Sequence, residues 1–119
     1  MKREDFIIKY KNASSNIDHD LIKRVINDSI ECNPIECGQR GHRNLIIVME
    51  ELAELSQQIS KRLRDKYDRI SLLEETADVI LCLEYIKNIM DFTDIEINKA
   101  INVKINRLRD VIKAKGFYK

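Results

Sequence analysis

The sequence contains little glycine, a single proline and no tryptophan. Its 119 residues include three Gly and one Pro, and Pro34, Gly38 and Gly41 lie together in one short segment. Residues 42–115 contain neither residue type and are rich in Glu, Lys, Leu and Ile. Because Gly and Pro most often interrupt regular structure, this stretch predicts long helices joined by short polar turns.

Long apolar runs and a cysteine framework are also missing. No run approaches the ~20 apolar residues of a membrane helix, and the first ten residues interrupt a short apolar stretch with charge, unlike a signal peptide. We therefore expect a cytoplasmic protein with no membrane partner. The three cysteines do not suggest disulfides. Cys32, Cys37 and His42 have a loose spacing and no fourth ligand for zinc, so we expect reduced thiols.

The charge is balanced overall but not locally. The formal net charge of +1 argues against a dedicated nucleic-acid-binding protein, which usually carries a strong basic excess. Residues 98–119 nevertheless contain seven Lys or Arg and one acid, Asp110. Such a segment attracts an anion or forms a solvated helix face, and composition alone leaves both interpretations open.

The hydrophobic periodicity predicts a single all-α domain over residues 1–119, a bundle of about four main helices completed by oligomerisation. The helices are expected at about 18–31, 43–64, 70–90 and 94–115, the last one ending at Gly116. The candidate N-caps are Asn16 or Asp18, Ser71 with Glu74 at capping-box distance, and Thr93 or Asp94. Residues 1–17 form a strand, a short helix or an arm.

Two of these helices carry acids on largely apolar surfaces. Glu51 and Glu54 lie one turn apart in the second helix, and Glu75 and Asp78 lie one turn apart in the third, which is apolar on every side. A carboxylate buried without a partner costs several kcal/mol or becomes protonated. The acids therefore require a cation, supplied by Lys and Arg or by a metal ion.

Antiparallel packing of the second and third helices would bring the two acid pairs together. Four oxygen ligands on rigid helices favour a hard divalent ion, Mg²⁺ or Mn²⁺, over zinc. Because Mg²⁺ usually takes one or two carboxylates and substrate phosphates, so many acids suggest more than one ion and a phosphorylated ligand. In the fourth helix Lys104 lies within the apolar stripe and Arg107 lies near its edge. A lysine there often extends to solvent, but beside a carboxylate cluster the pair favours phosphate binding.

At these residues the sequence resembles a known family. Glu50-Glu51-Leu52-Ala53-Glu54 fits an EExxE motif, and Glu75-Thr76-Ala77-Asp78 fits ExxD. Over residues 40–112 the chain is similar to the MazG-like, all-α nucleoside triphosphate pyrophosphohydrolases. That group includes MazG, the dimeric dUTPases, the dCTP pyrophosphatases and the phosphoribosyl-ATP pyrophosphohydrolases.

The resemblance implies hydrolysis of the α–β phosphoanhydride of a nucleoside triphosphate to a monophosphate and pyrophosphate. It implies Mg²⁺ ligands at Glu51, Glu54, Glu75 and Asp78. Glu50 would position or deprotonate the attacking water, with Glu51 beside it, or join a second ion. Lys104 and Arg107 would hold the outer phosphates, and we expect Arg43 and Asn44 to contact the base or sugar. The aromatic residues that often stack on the base before EExxE are missing, so no base is predicted.

The resemblance also implies a homodimer or homotetramer. The third helix supports this independently, because a chain of this size can hardly cover a helix that is apolar on all sides. Two other functions remain alternatives. One is a non-enzymatic helical interaction module or nucleotide sensor, in which Lys and Arg neutralise the acids. The other is hydrolysis of phosphoribosyl-ATP on the same scaffold.

Overall fold

The computed structural model describes residues 2–118, which form five α-helices and no β-strand. The helices are α1 (Arg3–Asn12), α2 (His19–Glu31), α3 (His42–Leu63), α4 (Arg69–Ile89) and α5 (Asp94–Ala114). The last four coincide with the predicted helices to within one residue at each end, and the all-α prediction is confirmed. Of the alternatives for residues 1–17, the short helix is present as α1. Within residues 2–118, no helix has both the length and the apolar character to cross a bilayer.

Two of the predicted helix starts are confirmed by their capping contacts. The carboxylate of Asp18 accepts a hydrogen bond from the Leu21 backbone N–H at 3.0 Å. At α5, Thr93 and Glu96 form a reciprocal capping box, in which the Thr93 hydroxyl accepts from the Glu96 N–H at 3.2 Å. Such caps satisfy backbone donors that the first turn leaves free. The polar residue before each apolar pattern therefore sets where the helix begins.

The predicted cap of α4 is wrong. Asp68, not Ser71, caps this helix: its carboxylate accepts from the Ile70 N–H at 3.0 Å. Ser71 lies inside the first turn and donates its hydroxyl to the same carboxylate at 3.2 Å. Arg3 donates to Asp68 at 2.7 Å and so attaches α1 to the start of α4. A carboxylate that serves three donors is a better cap than a serine hydroxyl.

Helices α3 and α4 form an antiparallel pair at the centre of the fold. Gly41, at the start of α3, lies against Ile89 at the end of α4. Helix α2 crosses α4, and the hydroxyls of Ser29 and Tyr85 share a 2.8 Å hydrogen bond there. The fully buried apolar residues among those described are Ile26, Ile30, Val48 and Cys82. The single chain therefore has a small core along the line where these three helices meet.

Helix α5 extends away from this core. Its first residue, Asp94, pairs with Lys23 of α2 at 2.8 Å and with Lys87 of α4 at 2.9 Å. These two lysines, Lys23 first, lower the pKa of Asp94 to about 2. Beyond its first turns, α5 makes no extensive packing contact with the rest of the described chain. The radius of gyration is accordingly 17.6 Å, against about 13.5 Å for a compact chain of this length.

The turn before α3 generates a stability prediction. Gly38 and Gly41 both have positive φ, but a Cβ at Gly41 would lie 2.5 Å from Ile89 Cδ1, whereas a Cβ at Gly38 meets nothing within 4 Å. We expect Gly41→Ala to lower the free energy of unfolding by about 1–3 kcal/mol more than Gly38→Ala, because only the former overpacks the α3–α4 contact. Urea unfolding of both variants at one protein concentration measures the difference. Equal losses would contradict this account of the turn.

Candidate metal-binding site

The predicted acid cluster lies where α3 and α4 run side by side. Glu51 and Glu54 are three residues apart in α3, and Glu75 and Asp78 are three residues apart in α4. Residues at this spacing share one side of a helix, so each helix presents a pair. Carboxylate oxygens of Glu51, Glu54 and Glu75 lie within 4.8 Å of one another. The antiparallel arrangement thus brings together three of the four acids expected to hold a metal ion, and Asp78 is not among the converging carboxylates.

The cluster has a buried side and an open side. Glu51 and Glu75 are half-buried, while Glu54 is exposed. One oxygen of each half-buried residue, Oε2 in both cases, is fully buried and has no hydrogen-bond partner. An unsatisfied buried acceptor costs about 1–3 kcal/mol, more when it is charged. Two such atoms side by side indicate a place where a positively charged ligand would be stabilising.

The pKa values of these acids are raised by burial and by mutual repulsion. Desolvation raises the pKa of Glu75 to about 7, and the charges of Glu54 and Asp78 add to the effect. Desolvation, followed by the charges of Glu54 and Asp78, also raises the pKa of Glu51. Like charges close together in a partly desolvated site disfavour full ionisation of all members. Without a cation, the cluster holds protons that free carboxylates would release.

Asp78 and Cys82 continue the site along α4. The pKa of Asp78 is raised by burial and then by the neighbouring charge of Glu54, so this carboxylate belongs to the same electrostatic group. One turn further, Cys82 is buried and its thiol has a pKa of about 11, raised by desolvation and then by Glu51 and Asp78. A thiol with this pKa stays neutral near pH 7. It forms part of the apolar floor beneath the acids.

No cation of the described chain neutralises the cluster. Among residues 2–118, the ion pairs lie elsewhere and include none of Glu51, Glu54, Glu75 and Asp78. Neutralisation by Lys or Arg was one alternative left open by the sequence, and residues 2–118 do not provide it. Hard oxygen ligands at this spacing suit Mg²⁺ or Mn²⁺.

The other predicted site residues lie outside the cluster. Glu50 is exposed on the outer side of α3, and its carboxylate is not among those that converge. Lys104 and Arg107 are exposed on α5, which is not packed against α3 or α4 within the described chain. Within residues 2–118, Lys104 and Arg107, the residues expected to bind phosphate, are therefore not brought together with the acids.

Arg43 and Asn44 have contacts inside the fold. Asn44 is 2 % exposed, and its side-chain oxygen accepts a hydrogen bond from Asn33 Nδ2 at 3.1 Å. Arg43 forms an ion pair with Glu36 in the segment that precedes α3. Both residues hold the loop of residues 32–41 against the start of α3. In the single chain, Asn44 is therefore shielded from solvent, and the contact of Arg43 and Asn44 with a base or sugar stays a prediction.

The segment around the first two cysteines has free thiols. Cys32 and Cys37 are exposed and unpaired with each other, and Cys37 adopts a positive φ of 55° in the turn. An isolated backbone bridge joins Glu36 to Gln39 there. The bridge and the positive φ of Cys37 give this part of the loop its turn geometry.

Comparison with known proteins gives no family assignment. No protein-family model, curated protein or solved structure matches this chain significantly. The functional interpretation therefore depends on the side chains of the cluster, and the MazG-like resemblance stays an expectation drawn from two motifs.

The raised pKa values predict how stability depends on pH when divalent ions are removed. A carboxyl whose folded pKa is raised to about 7 favours the folded state below its unfolded pKa of about 4.5 and loses that contribution as the pH rises through 7. We expect the free energy of unfolding in chelator to fall from pH 5 to pH 8 by on the order of 1–2 kcal/mol. Urea titrations at four pH values and one protein concentration measure it.

Glu75→Gln is the matched variant for this experiment. The amide cannot ionise, so we expect the variant to be more stable than the wild type at pH 8 and its pH dependence to be weaker, with the remainder due to Glu51 and Asp78. Adding Mg²⁺ at pH 8 should stabilise the wild type and leave the variant nearly unchanged. A wild-type protein with the same stability at pH 5 and pH 8 would show that the acids are not held in a desolvated cluster.

Proposed function

We propose that this protein is a Mg²⁺-dependent nucleotide pyrophosphohydrolase, which hydrolyses the α–β phosphoanhydride of a nucleoside triphosphate to a nucleoside monophosphate and pyrophosphate. The observation that supports it most is the convergence of Glu51, Glu54 and Glu75 with two buried oxygens that lack a donor. A protein has little reason to keep such unsatisfied acids unless a ligand compensates them. The EExxE and ExxD motifs supply these acids.

Glu51, Glu54, Glu75 and Asp78 would hold the metal, and Mn²⁺ would be an acceptable substitute. When bound there, Mg²⁺ would make a bound water more acidic and would neutralise charge on the phosphates. Glu51, Glu54 and Glu75 fit such an ion because their oxygens lie close together across two packed helices. Rigid placement matters, because ligands that must be reorganised on binding lose affinity.

The acidic side chains of the cluster differ in burial, and we assign their roles accordingly. Glu51 and Glu75, half-buried on the floor, would fix the position of the ion, while exposed Glu54 faces the side from which a polyphosphate arrives. Glu50 is also on the solvent side of α3. We assign it to orienting the attacking water or accepting its proton, with Glu51 beside it, which requires a small rotation toward the bound substrate. Lys104 and Arg107 would bind the outer phosphates.

Pyrophosphate release tests the proposal. The full chain is incubated with Mg²⁺ and a panel of ribo- and deoxyribonucleoside triphosphates, damaged nucleotides and phosphoribosyl-ATP. We expect pyrophosphate rather than orthophosphate from at least one of them, and loss of turnover with chelator. Turnover of phosphoribosyl-ATP alone would identify the alternative substrate. Binding of Mg²⁺ with a non-hydrolysable nucleotide, without turnover of any substrate, would instead indicate a nucleotide sensor.

Variants of the cluster give a second prediction. We expect Glu54→Gln and Asp78→Asn each to lower kcat/KM by at least about 100-fold, because each removes a ligand charge from the reacting site. Glu74→Gln is the matched control: it removes a carboxylate from the same helix, next to the cluster but outside it. It should change kcat/KM by less than about threefold. Equal losses in all three variants would show that charge in general, rather than the cluster, supports activity.

A further inference from the structure

Helix α5 presents an apolar face that the single chain leaves uncovered. The face is formed by Ile97, Ala100, Ile101, Lys104, Ile105 and Leu108, which line a groove of about 370 Å³. Ile101 and Ile105 are each 55 % exposed and Leu108 is 52 % exposed. An apolar stripe of this length on a protein surface usually marks an interface. We call it the α5 face.

The exposed surface of the whole chain is too large for a compact monomer. The accessible area is 9755 Å², whereas a folded monomer of 14.0 kDa exposes about 6,700 Å². The excess, about 3,000 Å² per chain, is well above the roughly 800 Å² per partner that a standard protein interface buries. This chain therefore has enough uncovered surface for an extensive interface with another copy.

The α5 face is held away from the acid cluster of its own chain. Asp94 fixes the first turn of α5 through its ion pairs with Lys23 and Lys87, and the capping box with Thr93 sets the direction of entry. Lys104 lies ten residues after Asp94, which is about 15 Å along the helix. A lysine at that distance on a helix that leaves the core does not return to the cluster of the same chain. A second copy can place basic residues beside the cluster, where residues 2–118 of the same chain form no ion pair with Glu51, Glu54, Glu75 or Asp78.

The surface beside the acid cluster complements the α5 face in charge and in apolar character. Six acids lie in residues 50–54 and 74–78, with no Lys or Arg among them. Ile47, two turns before Glu54 on the same side of α3, is 41 % exposed, and Leu81, one turn after Asp78, is 42 % exposed. Apolar side chains therefore flank the acids, just as apolar side chains flank Lys104.

We propose that the protein is a homodimer in which the α5 face of each copy packs beside the acid cluster of the other, so that Lys104 and Arg107 serve the partner's site. In a two-fold dimer the contact is made twice, which buries both α5 faces and supplies both clusters with basic residues. The role of Lys104 and Arg107 in binding phosphate rests on the proposed function, whereas the packing of α5 on a second copy does not.

The oligomeric state gives the first test. Light scattering after size exclusion should give about twice 14.0 kDa, as expected for a two-fold dimer at micromolar concentration. Ile101→Glu, and Leu108→Gln as a milder variant, should yield monomers with wild-type helix content by circular dichroism. Val103→Glu is the matched control on the opposite side of α5 and should remain dimeric. A monomeric wild-type protein, or a dimer that survives both substitutions of the α5 face, would overturn the proposal.

Chemical cross-linking locates the contact without requiring turnover. Light and ¹⁵N-labelled chains are mixed and treated with a carbodiimide, which joins an amine to a carboxylate in direct contact. We expect a mixed-isotope peptide that links Lys104 to Glu54 or to another acid of residues 50–54 or 74–78. If cross-linked peptides contain only light or only ¹⁵N-labelled partners, Lys104 contacts the acids of its own chain. That result would contradict the packing of α5 on a second copy.

Complementation tests the shared site itself. Lys104→Ala and Glu54→Gln are each expected to be inactive, but their mixture should regain about a quarter of the wild-type activity, because half of the dimers are mixed and each has one intact site. No recovery, with mixed dimers present, would overturn the assignment of Lys104 to the partner. If no nucleotide is hydrolysed at all, the proposed function fails while the cross-link still decides how α5 packs.

Discussion

The repulsion among carboxylates held between α3 and α4 is the constraint on which the rest of this structure depends. Two adjacent helices pack antiparallel and bring Glu51, Glu54 and Glu75 within 4.8 Å of one another, with Asp78 beside them. Burial and repulsion raise the pKa of Glu75 to about 7, so metal-free folding works against this arrangement near neutral pH. Stability given up locally in this way is typical of functional sites, where a ligand restores it.

Acidic and basic side chains also lie in different parts of the chain. Six acids lie in residues 50–54 and 74–78 of the packed pair α3–α4, with no Lys or Arg among them. Lys104 and Arg107 lie in α5, which leaves the core after Asp94. A protein that needed only to neutralise its acids would place lysines next to them on α3 or α4. Keeping the two groups apart in one chain preserves an open, negatively charged site. It also leaves the α5 face without extensive packing against the other helices of residues 2–118.

The sequence predicted the part of the site that depends on local spacing. Two pairs of acids at i,i+3 in neighbouring helices of similar length can face each other when the helices pack antiparallel, and the structure brings Glu51, Glu54 and Glu75 together in this way. Ser71 failed as a cap because Asp68, three residues earlier, binds both the backbone and Arg3 of a distant helix. Asn44 pairs with Asn33 across the loop, a contact that the periodicity of α3 does not encode. The ion pair between Arg3 and Asp68 joins segments that are distant in sequence, and periodicity does not encode it either.

The difference in exposure among the acids bears on how the site would work. The oxygens with no donor belong to Glu51 and Glu75, the two acids that the helices shield, while Glu54 faces solvent. Burial first, and then repulsion from neighbouring carboxylates, raises the pKa values of Glu51 and Asp78, and an ion bound to the shielded pair would offset both effects. Solvent screens the charge of Glu54 but not the buried oxygens of Glu51 and Glu75. We therefore expect Glu51 and Glu75 to determine the affinity for the metal ion, and Glu54 to determine which groups of a ligand contact that ion.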